Sequence, residues 1–510
     1  MLPNLHSVYL EAEARSRFFV VSLVVLLSVA LIGVVFVSPV LVLGMTFAAV
    51  TVLVSFWKPT WMLMAFSFYL PFEPFLLKWV PDELYVFARY GSEVLIYVLV
   101  AATIAHVLFG EAKLRRSPAD LPFVAFLIVV IASAILNLVP MFQAILGIRQ
   151  ILRFVLLFFV ALFLAPSKRW LKGFLIGIGA IMLIQVALAG AQSVIGGPLD
   201  TFLLPGERRT SGGIQLTSGT VQFWDPGQRV FGTMGRYDQL GTFLAFFLLI
   251  AVALLYEKAI EEKYRVYVWL LALVTLPILA LTYSRSAWFG FLLGFLFIAA
   301  YIKRDKRVIA VSLFIPFLLL LYLSFTGLVV NQLIDVPKQS ISERFFEAFS
   351  YERWRGEYYG LGRVFWMVKT VTTVVPSAPI FGVGPARYGG GAVTALHDTS
   401  VYDKLGLPFG VYGTEGYIDN NWFSLFGETG TLGLLAYLWL YSAVFFACIH
   451  IALNSKDRAT RALALGTAAA MIAVALNALL ATMLETRTLA PYLWIMGGTV
   501  MALGKKEKLL

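Results

Sequence analysis

The chain has little cysteine and little histidine. It contains one cysteine, Cys448, and four histidines among 510 residues. A lone thiol inside an apolar run can form neither a disulfide framework nor a thiolate metal cluster. We therefore expect a fold without internal disulfides and a functional site without a metal.

Charged residues are scarce as well. They make up only 14% of the sequence, against 60% hydrophobic residues, and the mean hydropathy is +0.83. This composition excludes a soluble globular domain. The formal charge of +11 does not indicate nucleic-acid binding, because the basic residues fall in short clusters between apolar runs and form no stripe with exposed aromatics. The sequence predicts a polytopic membrane protein without a nucleic-acid partner.

Apolar runs recur along the whole chain, and no small-residue cleavage site follows the first of them, so we expect that run to remain as a helix. A membrane span needs about 20 apolar residues. On this basis we predict an all-α transmembrane bundle of about 12–14 helices, forming one integral membrane domain over residues 1–510. The predicted spans are residues 18–37, 40–56, 60–77, 91–109, 121–139, 144–165, 173–195, 240–256, 266–283, 286–302, 308–325, 423–453, 462–484 and 488–504.

The basic residues of the short loops predict the orientation. They all fall on one side when the spans alternate, and cytoplasmic loops carry the excess of lysine and arginine. Both termini are therefore expected in the cytoplasm, and the long connections 196–239 and 327–421 outside, with the last helices in residues 422–510. The clusters are Lys113, Arg115 and Arg116; Lys168, Arg169 and Lys172; Lys258, Lys263 and Arg265; Lys303, Arg304, Lys306 and Arg307; Lys456, Arg458 and Arg461; and Lys505, Lys506 and Lys508.

The second long connection carries its own helix signals. Ser340 and Glu343 have the spacing of a capping box, and residues 363–369 form an amphipathic run that Pro376 ends. Gly382 and Gly384 fit a tight turn. We expect an ordered external cap that lies on the bundle.

Several arginines lie where spans meet the outer side. Arg285 opens a span with no room for a loop before it, and Arg236 precedes another span, with Arg229 two turns upstream if that helix extends outward. A guanidinium binds pyrophosphate through a fixed fork of donors. The alternatives are a structural clamp for Arg285, and pairing with Asp238, Asp225 or lipid head groups for the others.

Arg149 and Arg153 are four residues apart, so they share one face of the predicted span 144–165. Charges facing lipid are costly, so this face should point to the bundle interior or to a wet cavity. Two interpretations are open. The pair could bind the pyrophosphate of a donor, or it could anchor a neighbouring helix.

Four short motifs follow one another in the stretch 229–433. The first is an arginine with a leucine four residues on, Arg236 and Leu240. The second is Ser284 followed by Arg285 at a helix hairpin, and the third is the glycine turn at residues 382–384. In the fourth, Asn420 is followed after nine residues by a Gly-x-x-Gly sequence, at Gly430 and Gly433.

The order, spacing and common side of these motifs resemble the O-antigen ligase and O-antigen polymerase superfamily of bacterial membrane glycosyltransferases. The resemblance implies a bundle of the GT-C type with a large helical periplasmic loop. It implies transfer of a glycan from an undecaprenyl-pyrophosphate carrier to a glycan or lipid acceptor, among membrane lipids at the outer face of the inner membrane. No metal, cofactor or nucleotide sugar is expected. The product would belong to lipopolysaccharide or another surface polysaccharide.

The resemblance also implies roles. A developing negative charge on the leaving pyrophosphate needs donors already in position, and Arg236 and Arg285 are the first candidates. Arg229 and Arg363 are expected to bind the donor pyrophosphate as well.

Asp419 stands where the ligases have histidine, so the proton acceptor is in question. It could act as the base or orient the acceptor; alternatively it caps the helix near Phe423 or pairs with an arginine. Asn420 is expected to support it, and Glu428 to pack or pair with an arginine. His397, the histidine of the external loop, is a further candidate for the base.

A lipid-linked glycan flippase or transporter is the competing class, because arginines also line transport paths. A relative that has lost catalysis is a third possibility. The sequence shows no similarity between its halves of the kind that transporters with inverted repeats carry. Gathering of the charges on one side favours chemistry at one surface, and the aspartate in place of histidine leans toward a polymerase or a ligase-related enzyme.

Overall fold

The computed structural model describes residues 5–206, 210–211, 214–215, 225–326 and 329–510, and these form a bundle of helices. The prediction of an all-α polytopic bundle is confirmed. Two antiparallel two-residue strands, Thr210–Ser211 and Ile214–Gln215, are the strand pairing within the described ranges.

The helices are numbered in chain order. Before the first long connection they are α1 (Leu5–Phe36), α2 (Pro39–Trp57), α3 (Pro59–Tyr69), α4 (Glu73–Leu76), α5 (Asp82–Leu108), α6 (Asp120–Leu136), α7 (Met141–Leu152), α8 (Leu156–Leu164), α9 (Lys168–Ile195) and α10 (Gly197–Leu203). Between the two long connections they are α11 (Tyr237–Tyr256), α12 (Glu262–Leu281), α13 (Arg285–Leu296) and α14 (Lys306–Thr326).

The second long connection contains α15 (Ile341–Phe346), α16 (Tyr351–Tyr359), α17 (Arg363–Lys369), α18 (Val375–Ser377), α19 (Gly391–Leu396) and α20 (Ser400–Leu405). The last helices are α21 (Asn421–Asn454), α22 (Arg458–Ala478) and α23 (Ala490–Lys506). Short 3₁₀ turns lie at Leu77–Trp79, Val330–Gln332, Glu347–Phe349, Val411–Gly413 and Met483–Glu485, and π turns at Phe297–Ile302 and Thr370–Val374.

Fewer segments span the membrane as single straight helices than the predicted fourteen. Among the described residues, ten spans are long and apolar enough, or twelve if two bent pairs each count as one. One pair bends by 72° between Pro59–Tyr69 and Glu73–Trp79, where Pro71 and Pro74 interrupt the helix. The other bends by 51° between α7 and α8. Helices α6 and α23, of 17 residues each, rise only about 26 Å.

Small residues bring the central helices close together. A Cβ on Gly466 of α22 would lie 2.8 Å from Ile250 Cα of α11, and one on Gly498 of α23 would lie 2.1 Å from Phe158 O of α8. Such glycines let helix backbones approach in a membrane. By contrast, no residue of α14 is buried, so α14 lies at the lipid-facing periphery.

The basic clusters of different loops meet at one end of the bundle. Lys168 pairs with Asp457 at 3.1 Å, Lys506 donates to the Ala165 carbonyl at 3.2 Å, and Arg461 pairs with Glu257 at 3.0 Å. We call this the basic end. Glu257 follows the last residue of α11, so the start of α11 marks the other end, which we call the cap end.

Residues 329–420 form the cap, the layer that lies on the cap end. The predicted capping box is present, with Ser340 and Glu343 bonded reciprocally at the start of α15. Buried aromatic and branched side chains pack inside the cap, among them Trp366, Tyr388 and Tyr402. The cap therefore has a small core of its own.

The glycine turn fastens the cap to α21. Gly382 and Gly384 have φ values of +69° and +108°. The N–H of Val383 donates to Gly427 O at 2.9 Å, and that of Gly384 donates to Glu428 O at 3.0 Å. A Cβ on Gly382 would lie 2.5 Å from Gly427 O. This close approach fixes the cap against the helix that follows Asp419.

Candidate active site

A buried carboxylate gathers three arginines beneath the cap. The Glu347 side chain is 0% exposed and pairs with Arg285 at 3.0 Å, Arg344 at 2.9 Å and Arg353 at 3.0 Å. Gln339 also donates to it at 2.9 Å. Arg285 is the first residue of α13, so Glu347 ties the cap to the start of this helix. The contact between Arg285 and this cap carboxylate corresponds to the structural clamp that was one interpretation of Arg285. The Arg285 side chain also lines a cavity.

Arg229 lies behind this cluster. It is buried and binds Asp335 at 2.8 Å, and Asp335 also pairs with Arg344 at 3.0 Å. Burial would raise the pKa of Asp335, but Arg344 and Arg229 outweigh burial and lower it to about 2. Helix α11 begins only at Tyr237, so the conditional placement of Arg229 two turns up an extended helix is wrong. Arg229 lines neither of the two cavities at this end.

The first cavity, about 400 Å³, lies between α13, α22 and the cap, and we call it the α13 cavity. One part of its wall is charged and the other is apolar. The charged part contains Arg285, Arg344, Arg353, Arg363, Asp238 and Glu357; the apolar part includes Phe289, Leu292, Leu293, Phe349, Leu476 and Leu480.

The second cavity, about 450 Å³, lies beside α5 and α7, and we call it the α7 cavity. Five arginines and three carboxylates line it, so positive charge is in excess. These residues are Arg89, Arg149, Arg153, Arg236, Arg487, Glu73, Asp419 and Glu485.

Buried carboxylates in and behind the wall of the α7 cavity orient its arginines. Glu93 of α5 pairs with Arg149 at 2.9 Å and with Arg153 at 3.1 Å, and Glu73 pairs with Arg487 at 2.7 Å. Arg149 and Arg153 thus share one partner although the helix bends at Arg153. They anchor a neighbouring helix, as one of the two interpretations held, and they also line the cavity.

Two ion pairs form the wall between the cavities. Arg236 lines the α7 cavity and Asp238 lines the α13 cavity, joined by Nε–Oδ1 and Nη2–Oδ2 bonds of 3.1 and 3.0 Å. Arg363 lines the α13 cavity and Asp419 the α7 cavity; Arg363 Nη2 and Nε donate to Asp419 Oδ2 at 3.0 and 3.3 Å. Of the predicted residues, Arg285 and Arg363 thus line one cavity, whereas Arg149, Arg153, Arg236 and Asp419 line the other. We call these two pairs the shared wall.

Both arginines of the shared wall remain charged. The attraction of Asp238 raises the pKa of Arg236 and outweighs the effect of burial. For Arg363, burial lowers the pKa, but Asp419 and Glu357 outweigh it and the net shift is upward. The Arg236 side chain is 48% exposed, so part of its guanidinium faces the α7 cavity while Asp238 holds the other part.

Asp419 does not cap the helix that follows it. It has a φ of +53°, and Asn420 is the N-cap of α21, with Oδ1 accepting from Phe423 N–H at 3.1 Å. Nδ2 of Asn420 donates to Leu479 O at 2.8 Å. The capping interpretation of Asp419 is therefore wrong, and the arginine partner is Arg363. Asn420 fixes the backbone next to Asp419.

Glu428 and His397 lie apart from the arginines. Glu428 is buried, and its carboxylate accepts backbone N–H groups of Ala386, Arg387 and Tyr388. It thus holds the segment after the glycine turn and has no arginine partner among the described ion pairs. His397 has a φ of +52° and packs against the Phe409 ring at 4.6 Å. It lines neither cavity.

Sequence reasoning missed several charged residues that line the two cavities or hold the arginines beside them. Glu347 and Asp335 carry no signal in the chain, because the partners that tie them to the bundle, Arg285 and Arg229, are far away in sequence. Glu485 and Arg487 did carry one. They lie between two apolar runs at the edge of predicted spans, which is the pattern that singled out Arg285.

These features define a polytopic helical membrane protein that gathers arginines in two adjoining cavities at one end. The O-antigen ligase family model matches residues 267–438, a range that contains α13, the cap and the first part of α21. This match supports membership of the O-antigen ligase superfamily, and the family points to an O-antigen ligase-type membrane glycosyltransferase function. A search of curated proteins finds no significant match. The match includes Arg285, Arg363 and Asp419, but not Arg236, Arg149 or Glu485.

Proposed function

We propose that this protein transfers a glycan from an undecaprenyl-pyrophosphate carrier to an acceptor hydroxyl, at the shared wall between its two cavities. The observation that carries this proposal is the pairing of an arginine-lined, half-apolar cavity with a second arginine-lined cavity across Arg236, Asp238, Arg363 and Asp419. A transferase of this kind must hold two substrates with their reacting groups adjacent.

The α13 cavity fits the donor. Its apolar wall, which includes Phe289 and Leu292, suits an isoprenoid chain, and its charged wall suits a pyrophosphate. When the bond from the anomeric carbon to the pyrophosphate oxygen breaks, its electron pair stays on the pyrophosphate. Arg285 and Arg363 then stabilise the growing charge from positions that Glu347 and Asp419 have already fixed.

The α7 cavity fits the acceptor. In this proposal Arg149 and Arg153 bind the acceptor side instead of the donor pyrophosphate, since Glu93 directs them into this cavity. Arg236 completes the leaving-group site from the shared wall. Asp419 orients the acceptor hydroxyl, because Arg363 already occupies its Oδ2. The new bond joins the acceptor oxygen to the anomeric carbon.

The cap end would lie outside the inner membrane, with both termini in the cytoplasm. Support comes from the basic end, where lysines and arginines of several loops meet. Cytoplasmic loops carry such an excess. The reaction would then occur where lipid-linked glycans are joined to surface polysaccharide.

The test is release of undecaprenyl pyrophosphate by protein reconstituted with a pyrophosphate-linked oligosaccharide, with and without candidate acceptors. We expect Arg285→Ala and Arg236→Ala each to lower the rate about 10²–10³-fold, as loss of a charge-stabilising donor does. Arg355→Ala is the matched control, because Arg355 is exposed, pairs with Glu352 on α16 and lines neither cavity.

Two results would contradict the proposal. Normal turnover by both arginine variants would remove their role in leaving-group stabilisation. Movement of the carrier across the bilayer without release of its pyrophosphate would indicate a flippase instead.

A further inference from the structure

We infer that Glu485, and not Asp419, accepts the proton of the acceptor hydroxyl. This inference rests on the proposed function and identifies the residue that replaces the histidine expected from the family resemblance. Glu485 ends the 3₁₀ turn Met483–Glu485 between α22 and α23. It lies outside the residues that match the family model.

Glu485 lines the α7 cavity together with Asp419 and Arg236. Its Oε1 accepts from Asn421 Nδ2 at 3.2 Å. Asn421 is two residues from Asp419, so their Cα atoms are at most about 7 Å apart. The Asn421 side chain also accepts the Leu484 N–H at 2.8 Å. Glu485 is thus fixed directly to the segment that carries Asp419.

The hydrogen-bond donors to the Glu485 carboxylate are neutral and leave room for a substrate proton, whereas Arg153 donates to the Glu485 backbone carbonyl at 3.0 Å. Oε2 accepts from the Gly391 N–H at 3.3 Å and from Gln150 Nε2, and Oε1 accepts from Asn421. A carboxylate offers about four acceptor positions. Three are filled here, so one remains for the acceptor hydroxyl.

Asp419 is in a different environment. Two hydrogen bonds to its carboxylate come from Arg363, whose guanidinium stays charged. Protonation of Asp419 at either oxygen would remove the charge that pairs with this cation. Asp419 is therefore suited to orient a hydroxyl, whereas Glu485 can take up a proton without breaking an ion pair.

Charge around Glu485 supports the same role. Burial raises the pKa of Glu485. Arg153 and the hydrogen bonds from Gly391, Gln150 and Asn421 lower this pKa, but burial outweighs them. Glu428 and Tyr437 of α21 also interact electrostatically with Glu485. Arg487, on the same connection, is held by Glu73. A base whose pKa lies closer to the working pH is more effective.

Atoms and electrons balance in this step. The acceptor oxygen bonds to the anomeric carbon while the carbon–oxygen bond to the pyrophosphate breaks. The hydroxyl proton moves to Glu485, and the electron pair of the broken bond remains on the pyrophosphate. Glu485 afterwards loses the proton to water.

The test compares Glu485→Gln, Glu485→Asp and Asp419→Asn in the reconstituted release assay, with Glu352→Gln as control, because Glu352 is exposed on α16 and lines neither cavity. We expect Glu485→Gln to lower kcat at least about 100-fold, the usual contribution of a general base. The KM for the donor should stay within about threefold of the wild-type value. Glu485→Asp should keep part of the activity.

The pH profile distinguishes a Glu485 that accepts the proton from a Glu485 that only maintains the structure of the site. Wild-type activity should fall as the pH decreases through the raised pKa of Glu485, because the protonated carboxyl cannot accept a proton. This fall is the acid limb of the pH profile. Asp419→Asn should have a lower rate but the same acid limb, whereas the residual activity of Glu485→Gln should lack the acid limb. An acid limb that persists in Glu485→Gln, or a folded Glu485→Gln with kcat within about threefold of wild type, would overturn the inference.

Gln150→Leu keeps the inference testable if Glu485→Gln does not fold. Loss of the Gln150 bond removes a contact that lowers the pKa of Glu485, so the acid limb should move to higher pH. A limb that does not move would overturn the inference. If the wild-type protein releases no carrier pyrophosphate, the proposed function fails as well, and this outcome is distinct from an active wild type with an active Glu485→Gln variant.

Discussion

The basic end and the cap end of the bundle both contain ion pairs, but the two ends hold their charges differently. At the basic end, Arg115 and Lys506 donate to carbonyls of the last turn and end of α8, and the Lys168 side chain is 70% exposed, although one buried carboxylate, Glu257, pairs there with Arg461 and Lys303. At the cap end, arginines are bound by buried carboxylates such as Glu347 and Glu93. Cations at helix C-termini and in water keep their freedom, whereas those on buried carboxylates are fixed in place.

The difference between the two ends shows where the protein uses buried charges to hold side chains in fixed positions. Buried ion pairs are seldom the most stabilising use of a buried site, because desolvation offsets their attraction. Three such carboxylates are Glu93 and Glu347, which lie behind the two cavities, and Glu73, which lines the α7 cavity. They keep guanidinium groups at fixed positions before a substrate arrives, which is the requirement for stabilising a charge that develops during reaction.

Among the changes that test this difference between the two ends, Glu347→Gln is expected to have the largest effect on stability. The change removes the one charge that Arg285, Arg344 and Arg353 share and leaves one buried and two partly buried cations close together. We expect a loss of about 3–5 kcal/mol in the free energy of unfolding, measured by thermal denaturation in detergent. Glu352→Gln, at an exposed pair, should cost no more than about 1 kcal/mol. Equal effects of the two changes would remove the distinction between buried and exposed pairs.

The attachment of the cap can be tested at Gly382. In Gly382→Ala the positive φ and the 2.5 Å approach to Gly427 O should displace the glycine turn, at a cost of about 1–3 kcal/mol. We expect faster proteolysis of the cap and at least tenfold slower carrier release. Gly356→Ala is the control, because Gly356 is helical with nothing within 4 Å of an added Cβ, and it should be neutral or slightly stabilising. A Gly382→Ala protein with a protected cap would contradict this account.

The smallest effect is expected at the basic end. Lys168→Ala removes an exposed pair with Asp457, so the free energy of unfolding should fall by about 0–1 kcal/mol and the difference should shrink at high salt. Carrier release should be unchanged. A loss above about 2 kcal/mol, or slower release, would show that the two ends are less different than their contacts indicate.

The sequence predicted the helical segments, and the gathering of basic residues at one end of the bundle, better than it predicted the partner of each charged residue. Periodic apolar runs and loop charges are local, so fourteen helical segments could be predicted, and Pro71 and Pro74 mark one bend. The bend after Leu152 contains no proline. Its position coincides with Arg153, whose partner Glu93 is 60 residues away.

The candidate site illustrates the same limit. Arg236, Arg285 and Asp419 were found from motif spacing, but their division between two cavities depends on how the cap docks. Arg363 and Asp419 are 56 residues apart, and no local pattern indicates that they meet. Glu485 was recoverable, since it lies at a span edge, but its neutral donors come from three separate elements.

The shared wall has a thermodynamic consequence. Arg363 faces one cavity while it binds Asp419, which faces the other. Any anion in the α13 cavity that attracts Arg363 competes with Asp419 for the same guanidinium, and this competition changes the affinity of the α7 cavity for its ligand. By linkage, a ligand in the α7 cavity would alter the affinity of the α13 cavity for its ligand by the same factor. Under the proposed function, donor and acceptor binding are therefore coupled through the Arg363–Asp419 pair.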